Sequence, residues 1–171
     1  MRRRSESIAA ITYAVALAAA LLFVSAVVAA PLLEASHDAG DADAGSLIYM
    51  AYGRVCHQIS SRSFQIEGHP LAVCSRCAGI YFGYVLGLIV YPFVRALTRT
   101  DTPARVWLLL AIAPAAIDFA GDFAGLFDNT LLSRALTGGV AGAAGAFYTL
   151  PGFVSLAATN LRRLTGHAQG G

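Results

Sequence analysis

The sequence predicts an all-α fold, a four-helix transmembrane bundle with a short extracytoplasmic Cys/His loop. Three observations predict it. Of the 171 residues, 57% are hydrophobic and 13% charged, whereas a soluble domain carries about 25% charged residues; the mean hydropathy is +0.62. Four segments reach the roughly 20 mostly apolar residues that a spanning helix needs. The arginines sort to one side or the other when those segments are taken as spans. This length suits one compact helical unit. Residues 1–161 read as a single integral membrane domain and 162–171 as a cytoplasmic tail.

The spans run from about Ile8 to Leu33, Ala78 to Leu97, Val106 to Phe127 and Leu136 to Ala158. Each is apolar nearly all round, as a lipid-embedded helix is. Backbone groups in lipid must be paired within the segment, which favours helices over open strands. The first span also has the arginine-rich start and small residues (Ala29, Ala30) of a cleaved signal peptide. Its apolar run exceeds the roughly 7–15 residues of such a leader, which favours a retained span.

Loop charge then sets the orientation. Arg2, Arg3, Arg4, Arg95, Arg99, Arg105, Arg162 and Arg163 share one side, while Arg54, Arg62, Arg76, Arg134 and most of the acids share the other. The positive-inside rule places both termini in the cytoplasm of a cell (inner) membrane. The Cys/His loop then faces outward. All twelve basic residues are arginine, and the net charge of +2 is too small and scattered for a nucleic-acid partner. The partner this composition implies is the lipid bilayer.

Between the first two spans, the run after Leu33 reads as a solvated acidic linker containing His37. A short interfacial helix is expected from Ser46 to Gln58, with Leu47, Ile48, Met50 and Val55 toward the membrane. Gly68-His69-Pro70 reads as a turn. The tail after Arg163 reads as disordered, with His167 idle. Gly79, Gly83 and Gly87 on the second span match Gly138, Gly142 and Ala146 on the fourth. Small residues at this spacing let two helices cross closely. The same faces would also serve a homo-oligomer. Pro92, Pro114 and Pro151 are candidate kink positions.

All three cysteines fall in the polar stretch, as Cys56-His57 and Cys74-Ser75-Arg76-Cys77. The start of the second span favours thiolate at Cys74 and Cys77, through first-turn N–H groups and Arg76. Three readings stay open. The leading one is a metal site made by Cys56, His57, Cys74 and Cys77, with zinc first and iron or copper as alternatives. Adjacent helical residues point about 100° apart, so His69 is a rival to His57. The second is a thiol–disulfide oxidoreductase coupled to a membrane quinone, with Cys56 as a third exchanging thiol. The third is a lipid- or protein-binding module stapled by a structural disulfide. Asp118 and Asp122 lie four residues apart on one face of the third span. Charges inside a span mark an interior or a wet cavity. With Asn129 and Arg134 they form a candidate polar shell beneath the cysteines. No nucleotide, phosphate or flavin motif is present, and no nucleophile–base pair stands out beyond Cys/His.

The run Cys56-His57-Gln58, Arg62-Ser63-Phe64, Gly68, Pro70-Leu71 and Cys74-x-Arg76-Cys77-x-Gly79-x-Tyr81-x-Gly83 resembles a family of small bacterial and archaeal membrane proteins. That family is known only as domain of unknown function 2085. Ile117-Asp118 through Asn129, Arg134 and Thr137-Gly138 resemble its second motif. The resemblance runs from about Tyr49 to Gly142. It implies a polytopic membrane protein whose Cys/His signature sits near the second motif, and it implies no reaction.

Overall fold

The structure, a computed structural model, describes residues 2–36 and 38–167, with side chains for all of these except residues 2, 4 and 162–167. His37 and the side chain of His167 lie outside the described residues. In chain order the elements are α1 (Arg2–Glu34), α2 (Ala39–Tyr52), a 3₁₀ turn (Ser60–Arg62), β1 (Gln65–Ile66), β2 (His69–Pro70), α3 (Ser75–Val94), α4 (Arg105–Phe123) and α5 (Leu131–His167). Four stretches among the described residues are long and apolar enough to cross a membrane: Ser5–Glu34, Ser75–Val94, Arg105–Phe123 and Leu131–Leu161. The four-helix, multi-pass architecture expected from the sequence is the one observed.

The α3–α5 crossing organises the bundle. A Cβ built on Gly79 would overlap the backbone of Ala135, and one on Gly83 that of Gly139. A Cβ on Gly87 would sit 2.5 Å from the carbonyl oxygen of Ala143, and one on Gly138 would lie 2.5 Å from that of Arg76. Partner numbers rise together in steps of four, so the two helices run parallel, as second and fourth spans must. Without a hydrophobic driving force in lipid, such close packing supplies the association. The crossing glycines are engaged within the chain.

Two apolar clusters mark the ends. Ala9 packs with Leu88, Tyr91, Leu150 and Val154 at one. Val27 and Ala30 pack with Tyr52, Cys56, Leu71, Val73 and Ala78 at the other. The C-terminal end of α1 therefore meets the N-terminal end of α3. Most of α4 is exposed, including Trp107, Leu109, Ile117 and Phe123, as a lipid-facing helix is.

Several boundaries differ from the expected ones, each for a local reason. The acidic linker is mostly helix: Asp38 caps α2 by accepting from the N–H of Gly40 at 2.8 Å. That helix stops at Tyr52, so Cys56 and His57 stand on a loop. α4 ends four residues early in a Schellman turn: Gly125, at φ +67°, donates to Asp122 O, and Leu126 donates to Gly121 O. α5 starts five residues early because Thr130 and Ser133 cap it reciprocally. The N–H of Ser133 donates to Thr130 Oγ1 at 3.0 Å, and that of Thr130 donates to Ser133 Oγ at 3.1 Å. At its far end α5 continues through His167, where a disordered tail was expected. The turn near Gly68 is a hairpin, with Glu67 and Gly68 both at positive φ and Ile66 paired to His69.

Candidate thiol and arginine–carboxylate site

The loop after α2 is held in place by Gln58, whose amide donates to Tyr49 O and to Ala72 O, both at 2.8 Å. The Tyr49 hydroxyl donates to Pro70 O, and the Tyr52 hydroxyl donates to Phe23 O at 2.5 Å. These bonds tie α2, the hairpin and α1 together and bring Cys56 against the N-terminus of α3. The N–H of Cys74 donates to Cys56 Sγ at 3.2 Å. The N–H of Ile59 donates to Cys74 Sγ at 3.2 Å. Ser63, almost fully buried, donates to Ile59 O at 3.0 Å.

The three cysteines are free thiols, and Cys56 is their hub. Burial opposes its ionisation, but N–H donors from Cys74 and Gln58 and the thiols of Cys74 and Cys77 outweigh burial, so its pKa is lowered. Burial pushes the Cys74 thiol up, and Cys56 beside it adds to the rise despite the N–H of Ile59. This reverses the expectation that helix-end effects would make Cys74 a thiolate. Cys74 is the N-cap of α3, yet its sulfur makes no capping hydrogen bond to the helix. Two N–H groups, of Cys74 and Gln58, go to Cys56, and one, of Ile59, to Cys74. Since folding lowers the Cys56 pKa, its thiolate stabilises the fold above the pKa of a free thiol. That contribution is lost as pH falls through the folded value. Peptide-resolved alkylation with iodoacetamide is expected to reach half-maximal rate at lower pH for Cys56 than for Cys74. Equal midpoints would contradict the hub.

Arg76 and Cys77 are neighbours on α3 and point in different directions, as adjacent helical residues do. Cys77 turns to Cys56. Arg76 turns to α4, where its Nη2 meets Asp118 Oδ2 at 2.5 Å and its guanidinium lies 5.6 Å from the Phe119 ring centre. Asp118 is buried. Asn129 donates to Asp118 Oδ2 and to its carbonyl oxygen, both at 3.1 Å. Arg134 donates through Nε to Asn129 Oδ1 and reaches Asp122 Oδ2 at 3.5 Å. The sequence reading named the shell residues but missed Arg76 as the partner of Asp118. It also missed Gln58 and Ser63 as the residues that hold the thiol loop.

The two groups open on one cavity of about 210 Å³, whose walls include Cys56, His57, Cys74, Cys77, Arg76 and Arg134. His57 is exposed at its edge. His69 pairs with Ile66 across the hairpin and is not among the cavity walls. Among the described residues, no group of three or more His, Cys, Asp or Glu side chains is arranged to hold a metal ion. The donor types of Cys56, His57, Cys74 and Cys77 suit zinc, but their arrangement is a hub with two arms.

The profile of a family described as "Predicted membrane protein (DUF2085)" matches residues 56–148, which contain both halves of this site. Uncharacterized protein MJ1492 of Methanocaldococcus jannaschii is 40% identical over 109 residues, 64% of this chain and 70% of its own length. An uncharacterized protein of Methanothermobacter thermautotrophicus is 33% identical over 96 residues, 56% of this chain and 85% of its own length. No solved structure matches. The chain belongs to the DUF2085 family of predicted membrane proteins.

Proposed function

We propose that this membrane protein is a thiol–disulfide exchange protein whose reacting group is Cys56. The observation that carries the reading is the hub: Cys56 Sγ accepts from the N–H of Cys74 at 3.2 Å, it shares one cavity with Cys74 and Cys77, and its pKa is lowered. A low-pKa thiol is a good leaving group in disulfide exchange. In the oxidised form Cys56 is bonded to Cys74 or Cys77. A substrate thiolate attacks the partner sulfur, the S–S bond breaks, and Cys56 leaves as a thiolate held by N–H donors. A second substrate thiol, losing its proton, attacks the mixed disulfide and frees the partner cysteine. The substrate loses two electrons and two protons. The protein gains both electrons and one proton, and the other proton goes to water.

The arginine distribution supports an outward-facing site. Eight arginines lie at the end shared by the termini and the α3–α4 connection, and four at the thiol end. That excess corresponds to a cytoplasmic face, so the thiols open to an oxidising compartment, where disulfides persist. Zinc, with iron or copper as alternatives, is the second reading. It is favoured by backbone N–H donors on the sulfurs of Cys56 and Cys74. It requires the thiols and His57 to rearrange. A disulfide-stapled binding module is supported least, since the thiols line an open cavity.

Trapping tests the exchange reading. The double variant Cys74→Ser/Cys77→Ser, exposed to a small aromatic disulfide, is expected to accumulate a mixed disulfide at Cys56, and Cys56→Ser is not. Intact-mass spectrometry reads the adduct. A double variant that stays unmodified would overturn the assignment.

A further inference from the structure

The cavity that holds the thiols is also cationic. Arg62, Arg76 and Arg134 are all among its walls, and Asp122 is the one acid there. Asp118 stands behind Arg76 as its partner. Three guanidinium groups against two carboxylates leave one positive charge in excess. Arg62 is exposed and makes no ion pair among the described residues. Its N–H donates to Ile59 O at 2.9 Å, so the loop that carries Cys56 also places Arg62.

The two inner arginines are incompletely paired. Arg134 is only 8% exposed, yet Asp122 lies 3.5 Å away, beyond the roughly 2.7–2.9 Å of a charged N–H···O bond. Arg76 spends Nη2 on Asp118, and Arg134 spends Nε and Nη2 on Asn129 and Asp122. Nη1 of each has no hydrogen bond among the described residues, and Arg76 Nε is buried without a partner there. Sequestering cations with donors unmet is costly, and an anion bound beside them would offset that cost. A carboxylate fits a guanidinium fork through two parallel bonds. The rest of the wall includes apolar Val55, Ile59 and Phe119, suited to a short carbon stem. The volume of about 210 Å³ lies below the roughly 300–1,000 Å³ of drug-sized ligands. The occupant is therefore small, and one that meets the sulfurs is held close to the guanidinium groups.

We propose that the substrate of the thiol centre is a small thiol bearing a carboxylate, which Arg62, Arg76 and Arg134 hold. The inference rests on the exchange reading and names its substrate class. Two substrate thiols join as one disulfide and lose two electrons and two protons. The protein disulfide at Cys56 takes both electrons and opens. In the oxidised protein Cys56 carries no charge, so the cationic excess is free to receive the anion. After exchange Cys56 leaves as a thiolate in the same cavity and cancels that excess, which favours departure of the anionic product.

The test uses the oxidised full chain in nanodiscs of zwitterionic phosphatidylcholine. It is mixed with 3-mercaptopropionate, 2-mercaptoethanol or cysteamine, thiols of similar size bearing negative, no and positive charge. Opening of the Cys56 disulfide is followed by alkylation and mass spectrometry, and each second-order rate is expressed per thiolate. Mercaptopropionate is expected to be fastest and cysteamine slowest, about tenfold apart at low ionic strength and closer at high salt. Each variant is scored by its mercaptopropionate rate divided by its mercaptoethanol rate. Arg62→Gln is expected to lower that ratio about threefold, and Arg62→Glu to lower it further. Equal rates for the three thiols, or a ratio unmoved by both variants, overturns the inference and leaves the exchange reading standing. A protein that forms no Cys56 disulfide, or none that these thiols open, overturns both. A preference for a peptide with aspartate beside its cysteine, absent among the small thiols, replaces the small molecule with a protein substrate.

Discussion

Gly83→Leu is expected to prevent the bundle from assembling. Gly83 packs on the backbone of Gly139, with no space for even a Cβ. The obstacle is main chain, which cannot move aside without separating α3 from α5 along the whole crossing. Overpacking in a well-packed core costs about 1–3 kcal/mol, and a branched side chain against backbone belongs at or above the top of that range. Gly152, also within α5, has nothing within 4 Å of a built Cβ. Gly152→Ala is therefore expected to be neutral or slightly stabilising through helix propensity. Thermal unfolding in detergent, followed by circular dichroism and size-exclusion profile, separates the two. Equal melting behaviour would mean that the crossing does not hold the bundle together.

Asp118→Ala is expected to cost about 3 kcal/mol, the lower end for breaking a buried ion pair, because the Arg76 side chain is a quarter exposed. The loss has two parts. Arg76 is left facing α4 without its carboxylate, and Asn129 loses a side-chain acceptor on which the Arg134 contact depends. α4 buries little else, so its docking on the bundle weakens. Asp118→Asn keeps an oxygen acceptor and is expected to lose less. The double variant Arg76→Met/Asp118→Leu removes both charges and is expected to recover most of the stability. Unfolding midpoints of the unmutated protein, Arg76→Met, Asp118→Leu and the double variant form the cycle. A double variant as damaged as Asp118→Ala would mean that the pair does more than neutralise itself.

The spans and their crossing were legible because apolar length and four-residue glycine spacing are local signals. Spans two and four were matched through Gly79, Gly83, Gly138 and Gly142, and each of those glycines packs on the backbone of the opposing helix. The ends were read less well. Gly125 and the Thr130/Ser133 pair are recognisable caps, but apolar Leu126, Phe127 and Leu136 masked them in a hydropathy reading. The first half of α2 was hidden by composition: aspartate and glycine suggest a linker until Asp38 is seen as a cap, whereas its second half falls in the helix expected from Ser46.

The site was legible as a set of residues and less so as an arrangement. Cys56, His57, Cys74, Cys77, Asp118, Asp122, Asn129 and Arg134 were all named, and all but Asp118 and Asn129 line the shared cavity. Which thiol would have the lowered pKa was not legible. It depends on where the N–H groups of Cys74 and Gln58 point, and that follows from the loop geometry set by Gln58 at φ +50°. The partner of Arg76 was hidden for a similar reason. Only the α3 register decides that Arg76 turns to α4 while Cys77 turns to the loop.

The most direct test is a map of cysteine pairing in the purified protein. The full chain would be equilibrated across a dithiol/disulfide redox buffer, alkylated, digested and read by mass spectrometry alongside its metal content. A reversible disulfide joining Cys56 to Cys74 or Cys77 is the expected result. A Cys74–Cys77 disulfide with Cys56 left as a bystander would contradict the hub. Three thiols that never oxidise, accompanied by a tightly bound metal ion, would replace the exchange centre with a coordination site.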